Sequence, residues 1–283
     1  VDVGVVAHCS SVTYRGWSAA TERSVRKNGD RMTRRALSTL FWVFVTVSSI
    51  VLYPIAVTIW VLTVWFDRRL VVLHRFTCFW ASLYTWFNPA WPVTVEGREK
   101  IRADTTYVMV ANHLSLLDIL VLFRLFRHFK WVSKIENFTV PFIGWNMSMN
   151  RYIKLRRGDR ESVVEMMAEC EKTIAEGNSI MMFPEGTRSP TGEMRPFKPG
   201  AFELAKRTHT AVLPIVISGT ADALPKRGFV LQGRHPVRIR VLDPIPPERF
   251  AGMSAEQLTA HVRELIAAEI ADDDRQAAPG AVS

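Results

Sequence analysis

Two titratable side chains interrupt a stretch that otherwise reads as buried core. Residues 111–120 run ANHLSLLDIL, with His113 and Asp118 five positions apart. An imidazole whose tautomer is fixed by a carboxylate can take a proton from a hydroxyl near neutral pH. On one continuous helix that spacing would point the two side chains about 140° apart. They meet only if His113 lies in a turn and Asp118 in the first turn of the helix that follows. A reading without chemistry is also open. Ser115 to Asp118 has the form of a capping box, with Ser115 as N-cap and Asp118 satisfying the first N–H groups. The two duties are compatible, because a carboxylate has several lone pairs. No Gly-x-Ser-x-Gly nucleophile motif occurs. A histidine base without a protein nucleophile points to a substrate hydroxyl attacking an activated acyl group directly.

A second cluster, FPEGTRS (Phe183 to Ser189), follows an apolar run. Gly186 permits close backbone approach, while Glu185, Thr187 and Arg188 offer an acceptor, a hydroxyl and a forked cation in one turn. The guanidinium suits a phosphate, to which it can give two parallel charge-assisted bonds. Alone, the same residues describe an ordinary surface turn with a salt bridge. A third cluster, RYIKLRRGDR, holds Arg151, Lys154, Arg156, Arg157 and Arg160. Most of these suit a solvated basic face. Arg157 stands out because Gly158 follows it and opens a turn at a strand's end.

The elements around these clusters alternate between strand and helix patterns. TTYVMVA, KWVSKI, RYIKL, SIMMF, AVLPIVI and VRIRVL read as strands. LDILVLFRLF, residues 161–176 and GAFELAKR read as helices, and Ser254-Ala-Glu-Gln257 opens a last one with a capping box. This order predicts an α/β fold, a largely parallel central sheet flanked by helices. Ligands in such sheets gather at the carboxyl ends of strands. His113 and Glu185 each follow a strand, so both reach one rim if those strands are parallel.

Upstream the chain changes character. Hydrophobic residues make up 48% of a sequence that also carries 22% charge, so the apolar residues must be concentrated. Residues 36–66 contain no Asp, Glu, Lys, Arg or His. That is longer than the roughly 20 residues needed to cross a bilayer, and predicts an N-terminal membrane-associated helical segment. Pro54 can kink or split it, and arginines flank both ends, so one tilted span and a segment returning to the same face are both allowed. Residues 70–92 mix tryptophans with His74 and Arg75, as a helix lying in the membrane interface would. We therefore expect a basic, disordered segment over 1–35 and anchoring helices over 36–92. A catalytic domain over 93–272 and a flexible tail over 273–283 complete the division. Cys9, Cys78 and Cys170 are isolated, which argues against a disulfide framework or a zinc site. The net charge of +9 comes without zinc-finger spacing or RNA-binding aromatics. Anionic lipid, or an acidic substrate or carrier, is the expected partner, and nucleic acid is not.

Taken together, the clusters resemble the four-block pattern of the 1-acylglycerol-3-phosphate acyltransferase family. The blocks are Asn112-His113 with Asp118, then Arg157-Gly158, Phe183 to Ser189, and Val212-Leu-Pro214-Ile-Val. PFKPGAF (Pro196 to Phe202) is similar to the family's segment after the third block. The resemblance covers residues 93–246. It implies a membrane-bound enzyme that moves a fatty acyl group from acyl-CoA or acyl carrier protein to the sn-2 hydroxyl of 1-acyl-sn-glycerol 3-phosphate, giving phosphatidic acid. His113 would be the general base and Asp118 its orienting partner. Arg157, Glu185, Gly186, Thr187 and Arg188 would hold the glycerol-phosphate end, Arg156 competing with Arg157 for the second block. No metal or bound cofactor is implied. Another lysolipid acceptor, such as a lyso-ornithine lipid, and a lipid-binding protein without turnover are the alternatives. The high share of arginine suggests a bacterial source, with the catalytic domain on the cytoplasmic face of the inner membrane.

Overall fold

The computed structural model describes residues 12–189, 191–224 and 230–277. In chain order the elements are helices α1 (Val12–Thr63) and α2 (Val71–Trp86), then strands β1 (Val93–Glu96) and β2 (Tyr107–Ala111). Next come α3 (Leu117–Leu122), β3 (Lys130–Lys134), α4 (Ile143–Met149), β4 (Ile153–Leu155) and α5 (Arg160–Ala175). They are followed by β5 (Ile180–Met182), α6 (Gly200–Arg207), β6 (Ala211–Ser218) and α7 (Thr220–Ala223). The last three are β7 (Val237–Val241), α8 (Pro247–Phe250) and α9 (Ala255–Ala277).

The strands form one seven-stranded sheet in the order β1-β7-β6-β2-β5-β3-β4. All pairs are parallel except β6 and β7. The fold is therefore α/β with a mostly parallel sheet, as the alternating patterns require. Strand β2 lies between β5 and β6 and is buried on both faces, which is why its sequence is a continuous apolar run. Its alternating side chains feed two separate cores. Tyr107, Met109 and Ala111 join the core under α2 and α3. Val108 and Val110 join the core under α5, α6, α8 and α9.

Local signals set the helix ends. Asp159 caps α5 by accepting from the N–H groups of Glu161 and Ser162, and Gly177, at φ +80°, stops it. The Ser254–Gln257 capping box forms in both directions.

At the N-terminal end the expectation of disorder over residues 1–35 does not hold for the described part. Helix α1 runs back to Val12, well upstream of the apolar stretch. The stretch 12–35 contains no proline, and adding turns to an existing helix avoids the cost of nucleation. Residues 1–11 lie outside the described residues. Among those described, one helix segment, 32–63, is long and apolar enough to cross a membrane. It stays a single helix through Pro54, and the chain then reverses through Leu70 at φ +60°. Tyr84 of α2 packs edge-on against Phe41 and Phe44, and its hydroxyl lies within hydrogen-bonding distance of Ser48 and Ser49.

Helix α1 also touches the α/β domain along its length. The N–H of Leu231 donates to Ser38 Oγ at 3.0 Å, and Tyr53 meets the rings of Phe142 and Trp145. Helix α2 is more deeply embedded than an interfacial helix would be, because one side is built into the domain. His74 is fully buried, with Nε2 on the carbonyl of Arg127 and Nδ1 accepting from the Tyr152 hydroxyl at 2.9 Å. Burial, with His128 and Lys130 nearby, holds its pKa well below the ordinary value.

Lys130 is the second buried base of this region. Its Nζ donates to the carbonyls of Arg69 and Asn150 at 2.9 and 2.8 Å, tying the α1–α2 turn to the end of α4. Burial, then the charge of Arg151, lowers its pKa to about 7. A neutral amine still has two hydrogens for those two carbonyls.

The C-terminal tail also differs from expectation. Helix α9 continues to Ala277, and Asp273 is buried against Arg238 and Arg240 at 2.9 and 2.6 Å. Those arginines alternate with the core residues of β7 and need counter-charges, which Glu96 of β1 and the last turns of α9 supply together. Residues 278–283 lie outside the described residues.

Candidate active site

Strand β2 ends at Ala111, and Asn112 turns the chain out of the sheet. The Asn112 side chain takes both backbone groups of Ile217 on β6. Nδ2 donates to the carbonyl and Oδ1 accepts the N–H, each at 2.8 Å. The backbone of His113 is thereby released to bond elsewhere. Its N–H donates to Glu185 Oε1 at 2.7 Å, and its carbonyl accepts from the N–H of Ser189 at 3.1 Å. The first and third sequence clusters are thus joined through main chain as well as side chains.

Asp118 makes contacts both to the turn and to the imidazole. Its Oδ2 accepts from the N–H groups of Leu114 and Ser115 at 2.7 and 2.8 Å, closing the turn before α3. The same oxygen lies 2.9 Å from His113 Nδ1. An ionised carboxylate only accepts, so Nδ1 carries the hydrogen and Nε2 the lone pair. The other oxygen accepts from the Thr220 hydroxyl at 2.5 Å. Asp118 is completely buried, and His113 keeps 7% of its surface exposed. The imidazole lies flat on Phe183, with ring centroids 3.9 Å apart and planes 10° from parallel. Ring, tautomer and tilt are all fixed. Nε2 makes no hydrogen bond among the described residues.

Glu185 faces inward rather than toward the rim where a phosphate would lie. Oε1 accepts from His113 N–H and Oε2 from Arg195 N–H at 3.0 Å. Burial raises its pKa to about 7, the two N–H groups opposing and Asp118 adding to the rise. Its geometry is that of a brace between the His113 turn and the segment 195–198. Gly186 follows at φ +70°, and a Cβ there would lie 3.3 Å from Lys198 Nζ, so the ammonium rests on the glycine. Thr187 and Arg188 continue the same turn, half-buried.

Arg156 and Arg157, the two candidates for the second block, lie in different surroundings. Arg156 turns to Asp159, 3.7 Å away, with its side chain 65% exposed. Arg157 is exposed as a residue, yet its guanidinium is packed closely enough to be partly desolvated. That desolvation, with Arg188 nearby and Glu136 opposing, lowers its pKa. The structure thus brings together His113, Asp118, Glu185 and Gly186, with a cationic rim of Arg157, Arg188 and Lys198 beside them.

Three contributors escaped the sequence reading. Thr220 stands 102 residues from Asp118 in a stretch without a motif, and only the pairing of β6 with β2 brings it in. Phe183 read as the end of a strand. Lys198 sits inside the PFKPGAF segment, and the prolines on either side of it were the only signal.

Comparison with known proteins places the chain among acyltransferases. A family model described as Acyltransferase matches residues 92–218. A chloroplastic 1-acyl-sn-glycerol-3-phosphate acyltransferase of Brassica napus is 34% identical over 252 residues, covering 88% of this chain and 71% of the relative. One from Chlamydomonas reinhardtii is 37% identical over 224 residues, covering 77% of this chain and 65% of the relative. The crystal structure of the 1-acyl-sn-glycerophosphate acyltransferase PlsC from Thermotoga maritima superposes with a TM-score of 0.69. That match covers 87% of this chain and 98% of that one at 23% identity, and it shows a shared fold. On the strength of the Brassica relative and the matching domain, the chain belongs to the 1-acyl-sn-glycerol-3-phosphate acyltransferase family.

Proposed function

We propose that the protein transfers a fatty acyl group from a thioester to the sn-2 hydroxyl of 1-acyl-sn-glycerol 3-phosphate, forming phosphatidic acid. The observation that carries this reading is a histidine with its Nδ1 side locked by a buried carboxylate, beside a rim of three cations. In this mechanism His113 Nε2 takes the proton of the acceptor hydroxyl as that oxygen attacks the thioester carbonyl. The C–O bond forms, the C–S bond breaks, and the imidazolium returns the proton to the departing thiolate. Asp118 holds the ring and balances its transient charge. Arg157, Arg188 and Lys198 hold the acceptor's phosphate, and Thr187 offers a hydroxyl on the same turn. Gly186 keeps the backbone low enough for the headgroup to approach, and Glu185 acts through the turns it braces.

The donor is acyl-CoA or acyl carrier protein. Both carry an activated acyl group, so the chemistry assigned to these residues is complete without a further reagent. We place the enzyme at the membrane because α1 exposes Leu40, Val47, Val51 and Leu62 on the side away from the domain. A site held there spares the acceptor extraction into water, at about 0.8 kcal/mol per methylene.

The test supplies membrane-reconstituted protein with labelled acyl-CoA and 1-acyl-sn-glycerol 3-phosphate, beside His113→Ala. Labelled phosphatidic acid is expected from the parent, with a rate loss of about 10²–10⁴ in the variant, the usual worth of a positioned base. Equal product from both would remove His113 from the mechanism. Absence of product with acyl-CoA and with acyl carrier protein would overturn the reaction.

A further inference from the structure

The rings of His113 and Phe183 are stacked more closely than two neutral rings prefer. Their centroids are 3.9 Å apart and their planes 10° from parallel. Neutral aromatic pairs favour offset or edge-on arrangements with centroids about 4.5–7 Å apart, because face-to-face rings set like partial charges against each other. Phe123 on Phe129 and Phe197 on Phe202 obey that preference, at 5.9 and 6.4 Å. Carbon atoms in contact stay at least about 3.5 Å apart, so the His113–Phe183 pair is displaced sideways by at most about 1.7 Å. A cation above the same face meets the negative side of the ring's quadrupole and is attracted. The stack therefore suits an imidazolium better than an imidazole.

Phe183 is held in that position from two sides. Its carbonyl accepts from the N–H of Gly186 at 3.0 Å, and the next carbonyl, of Pro184, accepts from the N–H of Lys198 at 2.9 Å. Trp131 of β3 lies 5.3 Å from the Phe183 ring, tilted by 32°, and Phe129 meets the indole edge-on at 5.3 Å. The indole Nε1 is buried and has no hydrogen-bond partner among the described residues. A buried tryptophan N–H normally finds an acceptor, so ring packing sets the place of this one. Asp118 fixes the imidazole within its plane, and Phe183 covers a face. The two supports differ in how they treat the acceptor. A second carboxylate would draw on the cations of Arg157, Arg188 and Lys198 and repel a phosphate, whereas a phenyl face does neither.

We propose that Phe183 acts on the reaction through His113. Its ring face stabilises the imidazolium that forms as the acceptor hydroxyl gives its proton to Nε2, and Trp131 keeps that face in place. The inference rests on the proton transfer proposed above. Phe183 is a positioning residue whose interaction strengthens only when the charge appears, so its effect belongs to kcat rather than to KM.

The test replaces Phe183 of the full chain by monofluoro-, difluoro- and trifluorophenylalanine, introduced by nonsense-codon suppression. Successive fluorines drain the negative face of the ring while keeping its shape nearly unchanged. In detergent micelles with acyl-CoA and 1-acyl-sn-glycerol 3-phosphate, kcat is expected to fall about 3-, 10- and 30-fold along the series, the last being the worth of a desolvated cation–π contact. KM for donor and acceptor should stay within about twofold, because the neutral ring of the ground state gains little from the quadrupole. Phe183→Leu, which keeps an apolar side chain and removes the ring, should lose at least as much as the trifluorinated protein. The trifluorinated ring at Phe250, buried in the core under α8, is expected to leave kcat at the parent value. Should the trifluorinated Phe183 protein fail to fold, the monofluoro and difluoro members carry the test. A flat series from an active parent, a parental kcat in Phe183→Leu, a loss carried by KM, or an equal loss at Phe250 would each overturn this role for Phe183 and leave the reaction standing. A parent that forms no phosphatidic acid from acyl-CoA or acyl carrier protein would overturn the proton transfer, and this inference with it.

Discussion

Replacing Asp118 by asparagine separates the two duties of that carboxylate. The amide is isosteric, and its oxygen can still accept from His113 Nδ1–H and from the N–H groups of Leu114 and Ser115. Its NH₂ then meets Thr220 Oγ1, a hydroxyl that can turn and accept. The turn should survive, and the negative charge alone is lost. That charge lies 2.9 Å, atom to atom, from the ring that becomes cationic in the proposed step. Two unit charges about 4 Å apart at an effective dielectric of about 20 interact by about 4 kcal/mol. At about 1.4 kcal/mol per decade, this is a loss of about 10³ in kcat. The acceptor KM should change little, because the cationic rim is untouched. Release of free thiol from acyl-CoA, followed continuously, measures both constants, and thermal unfolding monitors the fold. A folded variant whose kcat stays within tenfold of the parent would refute the assignment of His113 as a charge-balanced base. Asp118→Ala makes the contrast, because it strands buried donors at about 1–3 kcal/mol each and should fail by unfolding.

Other perturbations address the supports. Between the ordinary 4.5 and the raised value of about 7 for Glu185, the native chain holds a proton that the unfolded chain has lost. Its contribution to stability therefore falls as pH rises through that window. Glu185→Gln should flatten this fall and lower the stability by the roughly 1–3 kcal/mol of one unpaired N–H, read as a lower melting temperature by calorimetry at pH 5 and 7.5. Lys130 has the opposite sign. Between about 7 and 10.5 the unfolded chain holds the extra proton, so stability should rise with pH there, and Lys130→Met should abolish the rise. In steady-state kinetics, Arg157→Ala should raise the acceptor KM about tenfold, the worth of one charge-assisted bond, while Arg156→Ala changes it less than twofold. The reverse order would move the phosphate site to Arg156.

The alternation of apolar runs with helix signals was enough to read a mostly parallel sheet, because β2, β5 and β6 are buried strands with no competing pattern. The geometry of the site was legible where it is local. His113 and Asp118 are five residues apart, and the turn they imply is the turn observed. Contacts made by strand pairing left no such trace, and Thr220 reaches Asp118 only through the register of β6. Charge sign misled at both ends of the chain. Arginine-rich residues before the apolar stretch read as loose chain, yet they continue a helix. The acidic residues near the C-terminus read as a tail, yet Asp273 neutralises cations of β7. Glu185 shows a subtler failure, since an exposed-looking motif acid is turned inward by the two N–H groups it serves.

The spacing of His113 and Asp118 has a mechanical origin in the amide of Asn112. That side chain clamps the chain to Ile217, and Asp118 is clamped to Thr220, so both jaws close on one short piece of β6 and α7. The segment between them works as a caliper, whose opening is set by a part of the molecule a hundred residues downstream. Of the side chains inside the gap, Ser115 is held by the Leu224 carbonyl and the N–H of Leu117, while the leucines can vary so long as they fit the core, but the count of residues cannot. Inserting or deleting a single residue between 114 and 117 would misalign the ring even if every named residue were kept. A motif of this kind is a length standard, and mutational scans confined to substitutions would never discover its tolerance.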